Sequence, residues 1–288
     1  MPAVTGLVIR DEIPEPIVEE FRVPGMRTNA VMAPTVRRTL LVGLAAAAAG
    51  AAAVTLGSFA EPTSAAAAPV VYLVGAVLVA HSWRRPTFGI ANTITLGRLV
   101  GTSWIATGVT AVAVGRVTGH PLEGGLHLAV LTFMVIVGAT CLVLDGVDGR
   151  MARRHHESSP FGARFDMETD AATVLFLSAA VPVFGAAGWW VLLIGLMRYL
   201  HVAASWVFAP LRIHTPGTLS GRVVAVVQGV ALLLALTLDA VPAVPTWIPD
   251  AVLVGSLTAL LWSFGKQSLW QVGQARAAKE QLGPRIKP

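Results

Sequence analysis

An all-α, polytopic membrane bundle is the fold class this sequence predicts, and two observations carry the prediction. Only 13% of the 288 residues are charged and 55% are hydrophobic, whereas a soluble domain carries about 25% charged residues. The apolar residues also fall into uncharged runs, many of them long enough to cross a hydrocarbon core, which takes roughly 20 residues of helix. Apolar periodicity inside such runs does not separate a lipid-facing side from a packed one, because both are apolar.

Taken in order, residues 1–38 mix charge with proline (IRDEIPEPIVEEFRVPGM) and read as a cytosolic tail. Eight spans follow, at about 39–60, 68–83, 92–115, 125–148, 165–186, 188–208, 221–239 and 247–266, and residues 271–288 form a basic tail. Turn-rich segments such as EPTSAAAAP, RIHTPGTLSG and DAVPAVPTWIPD separate them. The pair Arg37-Arg38 ahead of the first span fits ordinary positive-inside sequence as well as an export signal, and the first span is read as retained.

Charge placement predicts orientation. With the N-terminus cytoplasmic, Arg37, Arg38, Arg84, Arg85, Arg150, Arg153, Arg154, Arg212, Arg222 and the basic C-terminus share the inner side. The outer loops then hold Arg116 alone, the asymmetry that the positive-inside rule describes. Trp189, Trp190 and Trp247 fall near the outer interface, where aromatic belts sit. The net charge of +5 flanks hydrophobic spans and is not interleaved with aromatics, so nucleic acid is not an expected partner. The lone Cys141 lies in an apolar run, forms no intrachain disulfide and reads as core.

The chemistry concentrates in residues 145–170, DGVDGRMARRHHESSPFGARFDMETD. Asp145 and Asp148 are three apart and Asp166 and Asp170 four apart, so on helices each pair shares a face. The first pair closes the fourth span and the second opens the fifth, with RRHHESSPFG turning the chain between them. Four carboxylates brought to one volume repel one another unless a cation joins them. All-oxygen ligation suits Mg²⁺ or Mn²⁺, one ion or two, which commonly share their coordination with substrate phosphates. Arg153 and Arg154 are placed to meet such phosphates, and Gly146 and Gly149 leave the helix surface bare for a ligand. A DxxDG segment taken alone is equally a solvated loop or a chance likeness to a calcium loop.

The longer pattern is more specific: Asp145-x2-Asp148-Gly149-x2-Ala152-Arg153-x8-Gly162-x3-Asp166-x3-Asp170. At every one of these positions it resembles the signature of the CDP-alcohol phosphotransferase family of membrane enzymes. IANTITLGRL at 90–99 is similar to that family's first core helix, with Asn92, Thr95 and Arg98 three residues apart each time. Ala91 stands where the family often has proline. The resemblance covers about residues 90–270. It implies a six-helix catalytic membrane domain over 85–270, with two additional N-terminal transmembrane helices in 39–84.

Carried onto these positions, the resemblance implies that Asp145, Asp148 and Asp166 ligate metal at the diphosphate of a CDP-linked substrate. Asp170, a fourth carboxylate beside the metal, would be the general base that takes the acceptor's proton. Gly149, Ala152 and Arg153 would shape the cytidine-diphosphate pocket, and Gly162 would let helices pack closely. Asn92, Thr95 and Arg98 would lie near the same phosphates. The implied reaction is metal-dependent transfer of a substituted phosphate from a CDP-linked donor, CDP-diacylglycerol foremost, to an alcohol acceptor with release of CMP. The implied setting is the cell membrane, with the site facing the cytoplasm, both termini inside, membrane lipids around it and a homodimer as the assembly.

Other residues leave two readings open. Arg198, His201 and Ser205 follow at i, i+3 and i+7 and could wall the acceptor pocket. Arg198 would otherwise pair with a carboxylate or a backbone carbonyl. Arg212, His214 and Arg222 fit a phosphate on the acceptor, such as glycerol phosphate or inositol phosphate, and equally fit anionic lipid headgroups. His155 and His156 read as a solvated turn. Two rivals remain: transfer of a headgroup from a soluble CDP-alcohol to a lipid hydroxyl, and a metal or anion transporter. Transport would favour ionisable groups near the midplane, and these aspartates lie at a span edge.

Overall fold

The structure, a computed structural model, describes residues 33–58, 60–83, 88–154, 159–213 and 219–282. Among these residues there is no strand. Eight α-helices form in chain order: α1 (Pro34–Gly57), α2 (Ala67–Ser82), α3 (Ile90–Thr118), α4 (Gly124–Arg154), α5 (Pro160–Phe184), α6 (Leu192–Val207), α7 (Leu219–Asp239) and α8 (Trp247–Leu282). Short 3-10 turns precede α2 and α6 and follow α6. Each expected span contains one helix, so the all-α membrane bundle stands as read.

Several ends move outward from the expected spans. α4 runs on through Arg154 and α8 through Leu282, because a helix continues past the apolar zone wherever helix-forming residues such as Ala, Arg, Lys and Gln follow. α5 begins earlier than expected, where Ser159 caps it: the Ser159 hydroxyl accepts from the Gly162 N–H at 3.0 Å, with Pro160 at the first helical position. The turn between the aspartate pairs is therefore shorter than RRHHESSPFG, and His155 and His156 lie outside the described residues.

Six helices of the described residues are long and apolar enough to cross a membrane, and Val223–Asp239 is a shorter apolar one. The helix that misses this composition is α3, although its 29 residues are ample in length. Eighteen of them are buried. α3 packs against α1, α2, α4 and α5, so its polar residues face protein and not lipid. Thr102 Oγ1 and Thr173 Oγ1 of α5 lie 2.6 Å apart, an interhelical bond worth about 0.6 kcal/mol in a membrane protein.

The two N-terminal helices are built into this centre. Tyr72 of α2 donates its hydroxyl to the Leu40 carbonyl of α1 at 2.8 Å. Trp104 of α3 donates Nε1 to the Ala46 carbonyl at 3.3 Å, and its indole lies over Gly50, where a Cβ would stand 2.1 Å from that nitrogen. Only glycine admits that ring. On the far side, Gln228 of α7 and Ser256 of α8 bond reciprocally, Nε2 to carbonyl and Oγ to Oε1, each at 3.1 Å.

Candidate active site

Three elements bring the aspartates together. The last turns of α4 carry Asp145 and Asp148, the first turns of α5 carry Asp166 and Asp170, and the start of α3 lies between them with Arg98. An aromatic cluster fixes the start of α5 against the start of α3. Trp83 meets Phe88 and Phe161 edge-on at 5.3 and 5.1 Å, and Phe161 stacks on Phe165 at 6.0 Å.

Asp145, Asp166 and Asp170 each offer a ligand oxygen, and the three oxygens lie within 4.8 Å of one another. Their side chains are 33%, 35% and 40% exposed, so the cluster opens to the outside of the bundle and is not sealed in it. The side chains of Asp148, Ala152, Arg153 and Arg222 lie outside the described residues, as does His214. The backbones of the first three belong to α4, with half-buried Gly149. Gly146 on the same helix has open space where a Cβ would be, as a surface bared for a ligand requires.

Arg98, expected near the donor phosphates, reaches the aspartates themselves. Its guanidinium is 2% exposed and reaches three carboxylates from within the bundle. Nη1 donates to Asp166 Oδ1 at 2.5 Å, while Nη2 lies 3.1 Å from Asp145 Oδ1 and also donates to Asp170 Oδ1. Its own carbonyl accepts from Thr102 Oγ1 at 2.9 Å and Cys141 Sγ at 3.7 Å. Cys141 is buried at 3%, the core residue expected.

Asn92 and Thr95 are buried about two turns and one turn before Arg98, respectively. Asn92 Nδ2 donates to the Phe88 carbonyl at 2.7 Å, and Thr95 Oγ1 to the Ala91 carbonyl at 3.1 Å. Gly162 of α5 packs directly on the Asn92 amide. Asn92 and Gly162 therefore meet at the α3–α5 contact.

The proposed acceptor stripe is only partly brought to the site. Arg198 of α6 donates Nη2 to Glu168 Oε1 at 2.6 Å, and Glu168 lies on α5 between the two aspartates of the second pair. The Arg198 Nε is buried without a hydrogen-bond partner among the described residues. His201 meets the Phe264 ring edge-on at 5.4 Å. Arg212 donates Nε and Nη2 to the Ser205 and Trp206 carbonyls at 2.9 and 2.8 Å, closing the end of α6. Gln271 of α8 holds the same loop by donating to the Leu211 and Ile213 carbonyls. Glu168 and Gln271 were not singled out in the sequence. Glu168 has a usable signal, a carboxylate between two motif aspartates, and Gln271 has none.

A cleft lies at the other end of the bundle. It measures about 540 Å³ and is lined by Arg116, Leu122, His127, Phe184 and Asp239 among others. Trp189 and Trp247, both well exposed, begin their helices at that end. The converging carboxylates of Asp145, Asp166 and Asp170 are at the opposite end.

A hard divalent cation fits what the residues offer: all-oxygen, closely spaced and partly open. Residues 88–270 match the family described as CDP-alcohol phosphatidyltransferase. The chain belongs to that family, and six of its described helices are long and apolar enough to cross a membrane. The α1–α2 pair lies outside the matched residues. Two relatives from Mycobacterium tuberculosis, strains CDC 1551 / Oshkosh and ATCC 25618 / H37Rv, are each named "Probable phosphatidylglycerophosphate synthase". Each is 28% identical over 143 residues, which is 50% of this chain and 63% of the relative. No solved structure matches.

Proposed function

We propose that this protein transfers a phosphatidyl group from CDP-diacylglycerol to the hydroxyl of a small polyol phosphate such as glycerol phosphate, releasing CMP. The observation that carries the reading is the convergence of Asp145, Asp166 and Asp170 from two helices at one end of the bundle, within the complete aspartate motif. The names of the two mycobacterial relatives favour a glycerol phosphate acceptor. Arg198, half-buried with an unmatched Nε beside the second aspartate pair, supplies a cation where a phosphate on the acceptor would need one.

Asp145, Asp148, Asp166 and Asp170 would hold Mg²⁺ or Mn²⁺. Such an ion, when bound, neutralises charge on the diphosphate. Arg153 meets a donor phosphate, and the small residues Gly149 and Ala152 admit the cytidine. Asp170 accepts the proton of the acceptor hydroxyl as its oxygen bonds to the phosphorus distal to cytidine. The bond from that phosphorus to the bridging oxygen breaks, and CMP leaves with the bridge oxygen. A placed base contributes about 10²–10⁴-fold to such a step. The cytoplasmic side is the natural orientation, because it puts the basic loops inside and the site where nucleotides are found.

The test supplies purified protein with labelled CDP-diacylglycerol and a panel of alcohols, and follows CMP. Release with glycerol phosphate, and not with neutral alcohols, supports the reading. Release only when a soluble CDP-alcohol is paired with diacylglycerol would overturn it in favour of headgroup transfer.

A further inference from the structure

We propose that Arg98 is the built-in counter-charge of the acidic site, and that it sets how weakly the site holds its divalent cation. The inference rests on the metal-dependent reading above and concerns a residue that the aspartate motif does not include. Arg98 is the largest fully buried side chain of the described residues. A buried guanidinium is tolerated only where carboxylates or carbonyls surround it, and three of the four motif aspartates do so. Its position is over-determined. The Arg98 carbonyl is held by Thr102 and Cys141, and Thr102 meets Thr173 of α5. The guanidinium thus stays under the carboxylates while their exposed sides face outward.

Two effects of Arg98 on metal affinity oppose each other. By fixing Asp145, Asp166 and Asp170 in place it favours binding, and groups that orient metal ligands are worth about 10- to 100-fold. By sharing the same carboxylates as a dication it disfavours binding. At an effective dielectric of about 20, repulsion between a single and a double charge in adjacent positions is worth several decades. The charge effect is the larger. Arg98 therefore keeps the carboxylates together before metal arrives and weakens their grip on it afterwards, so that an incoming diphosphate completes the cation's coordination.

The experiment measures Mn²⁺ binding to the purified full chain in detergent by electron paramagnetic resonance, with thermal unfolding in EDTA and in excess Mn²⁺. Arg98→Gln is expected to bind Mn²⁺ at least tenfold more tightly than wild type and to lose more melting temperature in EDTA than in Mn²⁺. Arg98→Lys, which keeps the charge, is expected to stay within about threefold of wild type. A glutamine variant that survives only in Mn²⁺ while the lysine variant survives EDTA supports the same conclusion. Unchanged or weaker Mn²⁺ binding by Arg98→Gln overturns this inference and leaves the metal reading intact. So does failure of both variants to fold with or without Mn²⁺. Wild type that binds no Mn²⁺ overturns the metal reading itself.

Discussion

Gly162 of α5 faces Asn92 of α3 so closely that a Cβ on it would stand 3.0 Å from Asn92 Oδ1 and 3.1 Å from Ser159 Oγ. Both neighbours are already committed, Asn92 to the Phe88 carbonyl and Ser159 to the cap of α5. Gly162→Ala is expected to cost about 1–2 kcal/mol by overpacking. Gly162→Leu should tilt the start of α5 and lower activity at least tenfold. Thermal unfolding in detergent and CMP release check the pair; a leucine variant with wild-type melting would show that the contact does not position α5.

Asp170→Asn keeps the shape of the side chain and an oxygen that can accept from Arg98, but removes the base. CMP release is expected to fall about 10²–10⁴-fold while CDP-diacylglycerol binding changes little. Full activity in this variant removes the general-base assignment.

EDTA is expected to silence the enzyme, with Mg²⁺ or Mn²⁺ restoring it and Ca²⁺ restoring it poorly, because the smaller ions demand tighter oxygen geometry. A turnover assay with chelator in excess decides this. Turnover that persists there rejects the carboxylate metal site.

Arg198→Gln should raise the KM for a phosphorylated acceptor at least tenfold and leave the donor KM unchanged. Glu168→Gln, which frees the Arg198 guanidinium from its carboxylate, should shift acceptor KM in the opposite direction. Equal loss for donor and acceptor in both variants would assign the pair to packing alone.

Removing residues 1–32, which precede α1, should leave activity measurable, since every proposed site residue lies downstream. Extending the deletion through Trp83 should not. Trp104 then loses Gly50 and the Ala46 carbonyl, and α3 loses the protein that buries its outer face. Activity of the two truncations, each normalised to folded protein, separates these expectations.

How much of this was legible beforehand varies with the range of the interaction. The aspartate pairs were readable because i, i+3 and i, i+4 spacing is a local property of a helix. The positions of the eight helices were readable from composition. The bond from Arg98 to Asp166 and Asp170 joins residues 68 and 72 apart and depends on α3 lying between α4 and α5, which no local pattern encodes. Arg198 left two readings open, a pocket wall and an ion pair, and its partner Glu168 could be named only once α5 and α6 were seen side by side. The end of α4 was misplaced because RMARR looks like a charged loop, while helix propensity carries it through.

The burial of Arg98 also has a meaning for how the chain is made. Arg98 is synthesised before any of its three carboxylate partners, which lie on α4 and α5, so it enters the bilayer as an uncompensated cation. Inserted alone at a helix centre, such a residue costs about 2.5–3.5 kcal/mol. Its place near the start of α3 lets the side chain reach back to the headgroups in the meantime. The α1–α2 pair, already translated, offers a protein wall to a helix whose polar residues suit it poorly to lipid. The α1–α2 pair, which packs on α3 in the finished bundle, is thus translated before the carboxylates that meet Arg98.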